Sequence, residues 1–266
     1  MKTILTISRS AAIIYFPLII SIAFFYPAPI AAQPDTNCAT ALSITGPTSI
    51  TVDAGKTWAP LAPGATLTAG DEIKTGSDGA VDLELPDGSI LKIGPDSLVI
   101  IREMLRVEVI NTTQTTLEII FGKIRAVVGP ITDKNSHFTI ETENSTIGVR
   151  GTDFGVSYNP DVGETELFCF EGDVVLTPKE SFLKSFSPEI REKILRSYLV
   201  NKNRRLAIMT GRAPGAIERL KEAHKKRVLA GLEFKNERVL EKIELIKKRR
   251  ELRENRRKII RKHFLN

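Results

Sequence analysis

From Thr51 to Thr177 the chain is a series of short alternating apolar runs broken by turn residues, the pattern of strands whose side chains point by turns to opposite faces. Three consecutive segments, 77–85, 86–94 and 95–103, carry the same turn aspartate at Asp78, Asp87 and Asp96, nine residues apart. That rhythm predicts a mainly β module with tight turns, either a meander or a stack of solenoid-like rungs. Later strands are expected near 106–110, 116–120, 123–128, 137–142, 164–170 and 174–177. In the run Thr146 to Val156, Ile147 and Val149 fall on one parity and Phe154 and Val156 on the other. Both pairs reach one core only if an extra residue intervenes, so a bulge is expected at Gly151, where a positive backbone angle is cheap. Arg150 and Asp153 flank it, placed to pair with each other or to satisfy bent backbone.

After Pro178 the period changes. Ser187-Pro188-Glu189 reads as a helix start, with Ile190, Ile194, Leu195, Tyr198 and Leu199 as an apolar face. Gly211, Pro214 and Gly215 mark 201–215 as a linker, so 179–215 is expected to be a short amphipathic helix and its linker. Residues 216–266 then predict a basic helix with Leu220, Leu232, Val239, Ile243 and Ile246 at helical spacing. Its distal half is charged all round, as a solvated helix or weak coiled coil would be.

At the other end, Lys2 and Arg9 precede an apolar run closed by small residues at Ala31-Ala32, which predicts a signal peptide over 1–32 and an extended tether over 33–48. An uncleaved membrane anchor is the alternative. Export would place Cys38 and Cys169 where a disulfide between them can persist.

Charge divides the chain sharply. Residues 33–178 hold 9 Lys and Arg against 21 Asp and Glu, a net −12, whereas 179–266 hold 27 against 11, a net +16. Opposite halves call for different partners or for each other. Lys247, Lys248, Arg249, Arg250, Arg256, Arg257 and Lys258 are the candidate contacts for an anionic partner: an acidic envelope polymer, an anionic membrane surface, or the β module itself. Nucleic acid fits poorly, since export separates the two and aromatic residues for stacking are scarce.

No catalytic constellation is legible. His137, His224 and His263 lie in unrelated elements, and no nucleophile elbow, phosphate loop or metal-binding helix occurs. The spacing of Asp78, Asp82, Glu84 and Asp87 lacks the ligand order of a calcium loop. No cofactor, metal or enzymatic activity is expected.

Five ordered segments carry a family resemblance: Gly70-Asp71-Glu72-Ile73-Lys74-Thr75-Gly76, Leu85-Pro86-Asp87-Gly88-Ser89, Gly122-Lys123-Ile124-Arg125-Ala126, Arg150-Gly151-Thr152-Asp153-Phe154 and Phe170-Glu171-Gly172-Asp173-Val174. Together they resemble the FecR domain, a bacterial extracytoplasmic module, over residues 49–178. The resemblance implies an all-β domain that receives a signal outside the cytoplasmic membrane. In the ferric-citrate regulators that signal reaches a sigma factor through a cytoplasmic amino-terminal segment; only about ten residues precede the apolar run here, so anti-sigma activity is not expected. The expected function is protein interaction or signal sensing in the envelope or periplasm, with the structural binding of acidic polymers or anionic lipid as the alternative.

Overall fold

The computed structural model describes residues 37–264; the expected signal peptide lies outside them. Seventeen strands follow in order: β1 Ala39–Thr45, β2 Thr48–Thr51, β3 Ala59–Pro60, β4 Thr66–Leu67, β5 Glu72–Thr75, β6 Ala80–Glu84, β7 Ile90–Ile93, β8 Ser97–Val107, β9 Thr112–Val127, β10 His137–Glu141, β11 Ser145–Val149, β12 Asp153–Asn159, β13 Glu164–Glu171, β14 Asp173–Pro178, β15 Tyr198–Asn201, β16 Arg204–Met209 and β17 Glu218–Arg219. Four helices lie among and after the last of them: α1 Glu180–Leu183, α2 Pro188–Ile194, α3 Glu222–Leu229 and α4 Glu237–Phe264.

The strands make two sheets that face each other. One, here the inner-helix sheet because the carboxyl-terminal helices lie on it, has the order β4-β1-β6-β7-β9-β12-β13-β16-β17. The other has the order β3-β2-β5-β8-β9-β10-β11-β14-β15. All neighbours are antiparallel except β9 and β10. Strand β9 belongs to both sheets: Thr112–Phe121 pairs with β8, and Gly122–Val127 pairs with β12. Gly122, at φ +97°, is where it changes sheet.

The core lies between the sheets. Val81, Leu83, Leu91, Ile124, Phe154 and Val156 from one face meet Ile73, Val99, Leu117, Phe138, Ile147 and Leu176 from the other in one buried cluster. The nine-residue rhythm places the turns that separate β6, β7 and β8, and its third aspartate, Asp96, sits at φ +50° just before β8. Expected strands at 106–110 and 116–120 merge into longer ones, because β8 and β9 form one hairpin whose tip is the short 3-10 turn Glu108–Ile110.

Three expectations fail here. Residues 33–48 are not wholly a tether: Ala39–Thr45 is strand β1, and Ala39 and Ala41 are buried against the core. Residues 201–215 are not a linker, since β15 extends β14 and β16 pairs with β13 along six residues, burying Val200, Leu206 and Ile208. The turn that joins them holds Asn203 at φ +59°, so a Lys-Asn turn stands in the basic stretch that composition reads as unstructured. The expected helix over 216–266 is broken into β17, α3 and α4, because Gly231 at φ +79° ends α3. Tyr198 and Leu199 lie in β15 beyond the end of α2; Ile194 and Tyr198 are buried whereas Ile190, Leu195 and Leu199 are exposed.

Among the described residues no helix is long and apolar enough to cross a membrane.

Candidate functional site

Three of the signature segments, 122–126, 150–154 and 170–174, are joined to one another by hydrogen bonds, and segment 85–89 joins them through Gly129; segment 70–76 lies apart, bonded to the start of β8. At Arg150–Thr152 the chain leaves β11 in one sheet and enters β12 in the other, so the parity change is a crossover between sheets rather than a bulge within one strand. Both apolar pairs reach one core, as the pattern requires. Gly151 takes φ +91°, and a Cβ there would lie 3.0 Å from Pro130 Cα. Thr152 donates its hydroxyl to the carbonyl of Asp173 (3.0 Å) and accepts at its own carbonyl from Val128 N–H (2.9 Å). Gly129 N–H donates to Ser89 Oγ, which in turn donates to Asp87 at 2.7 Å. Burial pushes the Asp87 carboxyl up from the ordinary range, against the hydrogen bonds from Ser89 that hold it down.

Asp153 finds Arg125, not Arg150. The guanidinium of Arg125 binds it in two places, Nε to Oδ1 at 2.9 Å and Nη2 to Oδ2 at 2.8 Å. The pair faces outward from the helix-bearing sheet yet is buried, with side-chain exposures of 17% and 4%. The same face carries Lys92 and Asp82, paired at 2.7 Å and likewise buried. Strand alternation alone places both pairs in solvent. They are covered because the chain after β16 folds back over them. Phe234 sits with Lys92 and Arg125 at 5.6 and 5.0 Å from its ring centre. Leu220, Val228 and Leu229 lie on Phe168 and Phe170.

Helix α4 completes the cover. Val239, Ile243 and Ile246, one face of its first turns, bury themselves on Ile90 and Val127. Lys242 pairs with Glu84. Arg250 donates through Nε and Nη2 to the carbonyl of Val128 and reaches Glu171 at 3.3 Å, and Arg253 donates to the carbonyl of Ile131 at 3.1 Å. Helical spacing in the sequence shows the apolar face; what it cannot show is the matching apolar pair on the outer side of the sheet.

The predicted cationic contacts therefore divide. Arg250 is engaged within the chain, whereas Lys248, Arg249, Arg256, Arg257 and Lys258 are exposed and Lys247 is half-buried. Arg249 borders a cavity of about 580 Å³ with Asp87, Arg106, Asp133 and Thr113, a polar hollow between the Pro86–Gly88 turn and the loop after β9.

Arg150 is exposed, at the rim of a shallow groove with His137, Thr139 and Asp173, and has no hydrogen bond or ion pair among the described residues. Arg150→Ala should accordingly leave thermal stability unchanged to within about 0.5 kcal/mol, the range of surface substitutions. A loss of partner binding without a loss of stability would assign this arginine to recognition.

Cys169 is a buried thiol that donates to the carbonyl of Gly172 at 3.2 Å, so it is not half of a disulfide with Cys38. Position explains this: Cys169 points into the core between the sheets, whereas Cys38 borders the polar cavity. Burial first, then the charges of Asp173 and Asp153, push its pKa up to about 12. Since the thiolate is the nucleophile, Cys169 should resist iodoacetamide in the native protein at about pH 8 and react after denaturation. Mass spectrometry of the labelled peptide checks this; rapid native labelling would contradict the burial.

Residues 71–175 match the family model described as FecR protein. Residues 71–175 are a FecR domain. The match starts at Asp71 and ends within β14, so β1 to β4 and β15 to β17 extend the same two sheets beyond the FecR domain. Two crystal structures of a protein from Parabacteroides distasonis, described as a candidate anti-sigma factor, are similar to this chain at 14% identity each, with TM-scores of 0.46 and 0.45. The alignments cover 60% of this chain and 65% and 63% of those chains, so less than two thirds of their length is spanned. No curated protein matches the sequence.

Proposed function

We propose that this is an exported, non-enzymatic protein that acts by protein interaction or signal sensing in the bacterial cell envelope. The FecR domain points to regulation or sensing. One structural observation carries the reading further. The polar signature residues Thr152, Asp153 and Arg125 are engaged in holding the two sheets and their crossover, and the face that they build holds a basic polypeptide segment, the chain's own carboxyl-terminal region. A face made of buried ion pairs and two apolar side chains suits a polypeptide better than a reacting small molecule.

A second reading is favoured by Arg256, Arg257 and Lys258, which lie exposed beyond Arg253, the last residue of α4 with a hydrogen bond to the sandwich among the described residues. On that reading the helix anchors the protein to an acidic envelope polymer or to anionic lipid.

Photocrosslinking of the full chain in envelope fractions separates the two. With the crosslinker at position 150 or 256, a discrete protein adduct supports interaction or sensing. Absence of any protein adduct, together with salt-sensitive retention on acidic polymer or anionic vesicles that Arg256→Glu, Arg257→Glu and Lys258→Glu abolish, overturns it in favour of anchoring.

A further inference from the structure

Helix α4 uses one face to dock and leaves another apolar face bare. Leu245, Leu252 and Ile259, seven residues apart, are 57%, 62% and 62% exposed. At about 100° per residue they lie roughly 145° around the helix from the docked face of Val239, Ile243 and Ile246. Arg249 and Arg256 fall between them. The five residues alternate by steps of four and three, all within a band about 80° wide. Both arginines are exposed and have no ion pair or hydrogen bond among the described residues; Arg249, at the edge of the band nearer the sandwich, also borders the polar cavity. The helix continues past Arg253, its last residue hydrogen-bonded to the sandwich among the described residues, for eleven residues to Phe264, a length of about 16 Å at 1.5 Å per residue.

We infer that Leu245, Arg249, Leu252, Arg256 and Ile259 form a coiled-coil seam that receives an acidic amphipathic helix of a partner protein. This deepens the protein-interaction reading above and rests on it. The seam places branched apolar residues at one core position of each heptad and arginine at the other, a pattern that fixes register and partner at some cost in stability. The occupant must supply leucine-like knobs opposite the apolar positions and Glu or Asp opposite Arg249 and Arg256.

Charge excludes the nearest alternative. Residues 245–262 hold ten Lys and Arg against Glu251 and Glu254 alone. A second copy would set Arg249 and Arg256 against cations, and like charges across a seam are what such interfaces use to reject partners. A lipid surface is also poorly matched. Interfacial helices bury a continuous apolar face, whereas here Leu245, Leu252 and the Ile259–Ile260 pair stand two turns apart with a guanidinium between them.

The test uses the full chain and a synthetic peptide of four heptads with Leu at one core position and Glu at the other. A second peptide of the same charge carries Ser in place of Leu. Fluorescence anisotropy is expected to show micromolar binding of the leucine peptide. Binding should weaken at least about tenfold for the serine peptide and equally for Leu252→Ser with Ile259→Ser, whose side chains are exposed and whose loss leaves the fold intact by circular dichroism. Arg249→Glu with Arg256→Glu should abolish it. Equal binding of both peptides would reduce the contact to charge alone and overturn the inference. So would concentration-dependent dimers in sedimentation velocity that the leucine substitutions abolish, or cosedimentation with phosphatidylglycerol vesicles that depends on Leu252 and Ile259 while the peptide does not bind. Adducts at position 150 with no peptide binding would leave the interaction reading standing and remove only the seam.

Discussion

Gly122→Ala is expected to be among the most damaging single-methyl additions to this protein. Strand β9 changes sheet at Gly122 with φ +97°, a region that costs an L side chain about 1–2 kcal/mol on its own. Space makes it worse. The added Cβ would lie 2.2 Å from Ser97 Oγ, 2.5 Å from the carbonyl oxygen of Asp96 and 2.5 Å from Ser97 Cα. Two of those atoms are backbone at the start of β8, so a rotamer change cannot relieve the contact. Relief means moving β8 or β9, which breaks the bond from Lys123 N–H to Ser97 Oγ at 3.0 Å and that from Gly94 N–H to the carbonyl of Lys123 at 2.9 Å. Strain, clash and lost bonds together put the loss at about 4 kcal/mol or more, at the extreme of single substitutions. In a protein of this size that lowers the melting temperature by about 10 °C or more. Calorimetry that finds a shift under about 3 °C would show that the crossing strand yields easily. Gly151→Val should follow at smaller cost, since its nearest backbone atom is 3.0 Å away.

Asp153→Ala is expected to cost about 3–5 kcal/mol, because it leaves the Arg125 guanidinium buried with no carboxylate. Arg125 would keep its place between Phe170 and Phe234, 5.1 and 5.0 Å from the ring centres, with its charge uncompensated. Removing both charges is different. Arg125→Met together with Asp153→Leu should recover most of the loss, since an apolar pair of similar size suits a face that Phe234 already covers. Urea unfolding of the two single variants and the double variant measures the coupling. A coupling below about 0.5 kcal/mol would mean that the two side chains act independently and that the pair does not hold the cover in place.

Local order was legible, and long-range closure was not. The aspartates nine residues apart mark the turns around β6, β7 and β8 because turn chemistry is local. The parity change between Val149 and Phe154 demanded a backbone irregularity near Gly151, and a residue at positive φ stands there. Which kind of irregularity depends on where the next strand pairs, and pairing is a long-range property, so a crossover looked like a bulge. Asp153 met Arg125 rather than Arg150 for the same reason: sequence distance favours a residue three away, whereas the register of β9 against β12 favours one twenty-eight away. Charge counting also misled about the tail. The +16 half docks on the −12 half, but the centre of that contact is Val239, Ile243 and Ile246 on Ile90 and Val127. Outward residues of a strand are read as wet, and only the folded chain shows which of them another segment keeps dry.

The way the two sheets end bears on what happens at high concentration. One runs out at β4 and β17, two residues each, and the other at β3 and β15, of two and four residues. A stack of rungs with full-length outer strands would offer a row of unpaired amides on which a further chain could grow. Here each outermost strand offers an incoming chain only two to four residues of edge, too short a row to repay the ordering of a full strand, a device that natural sheets use against edge-to-edge growth.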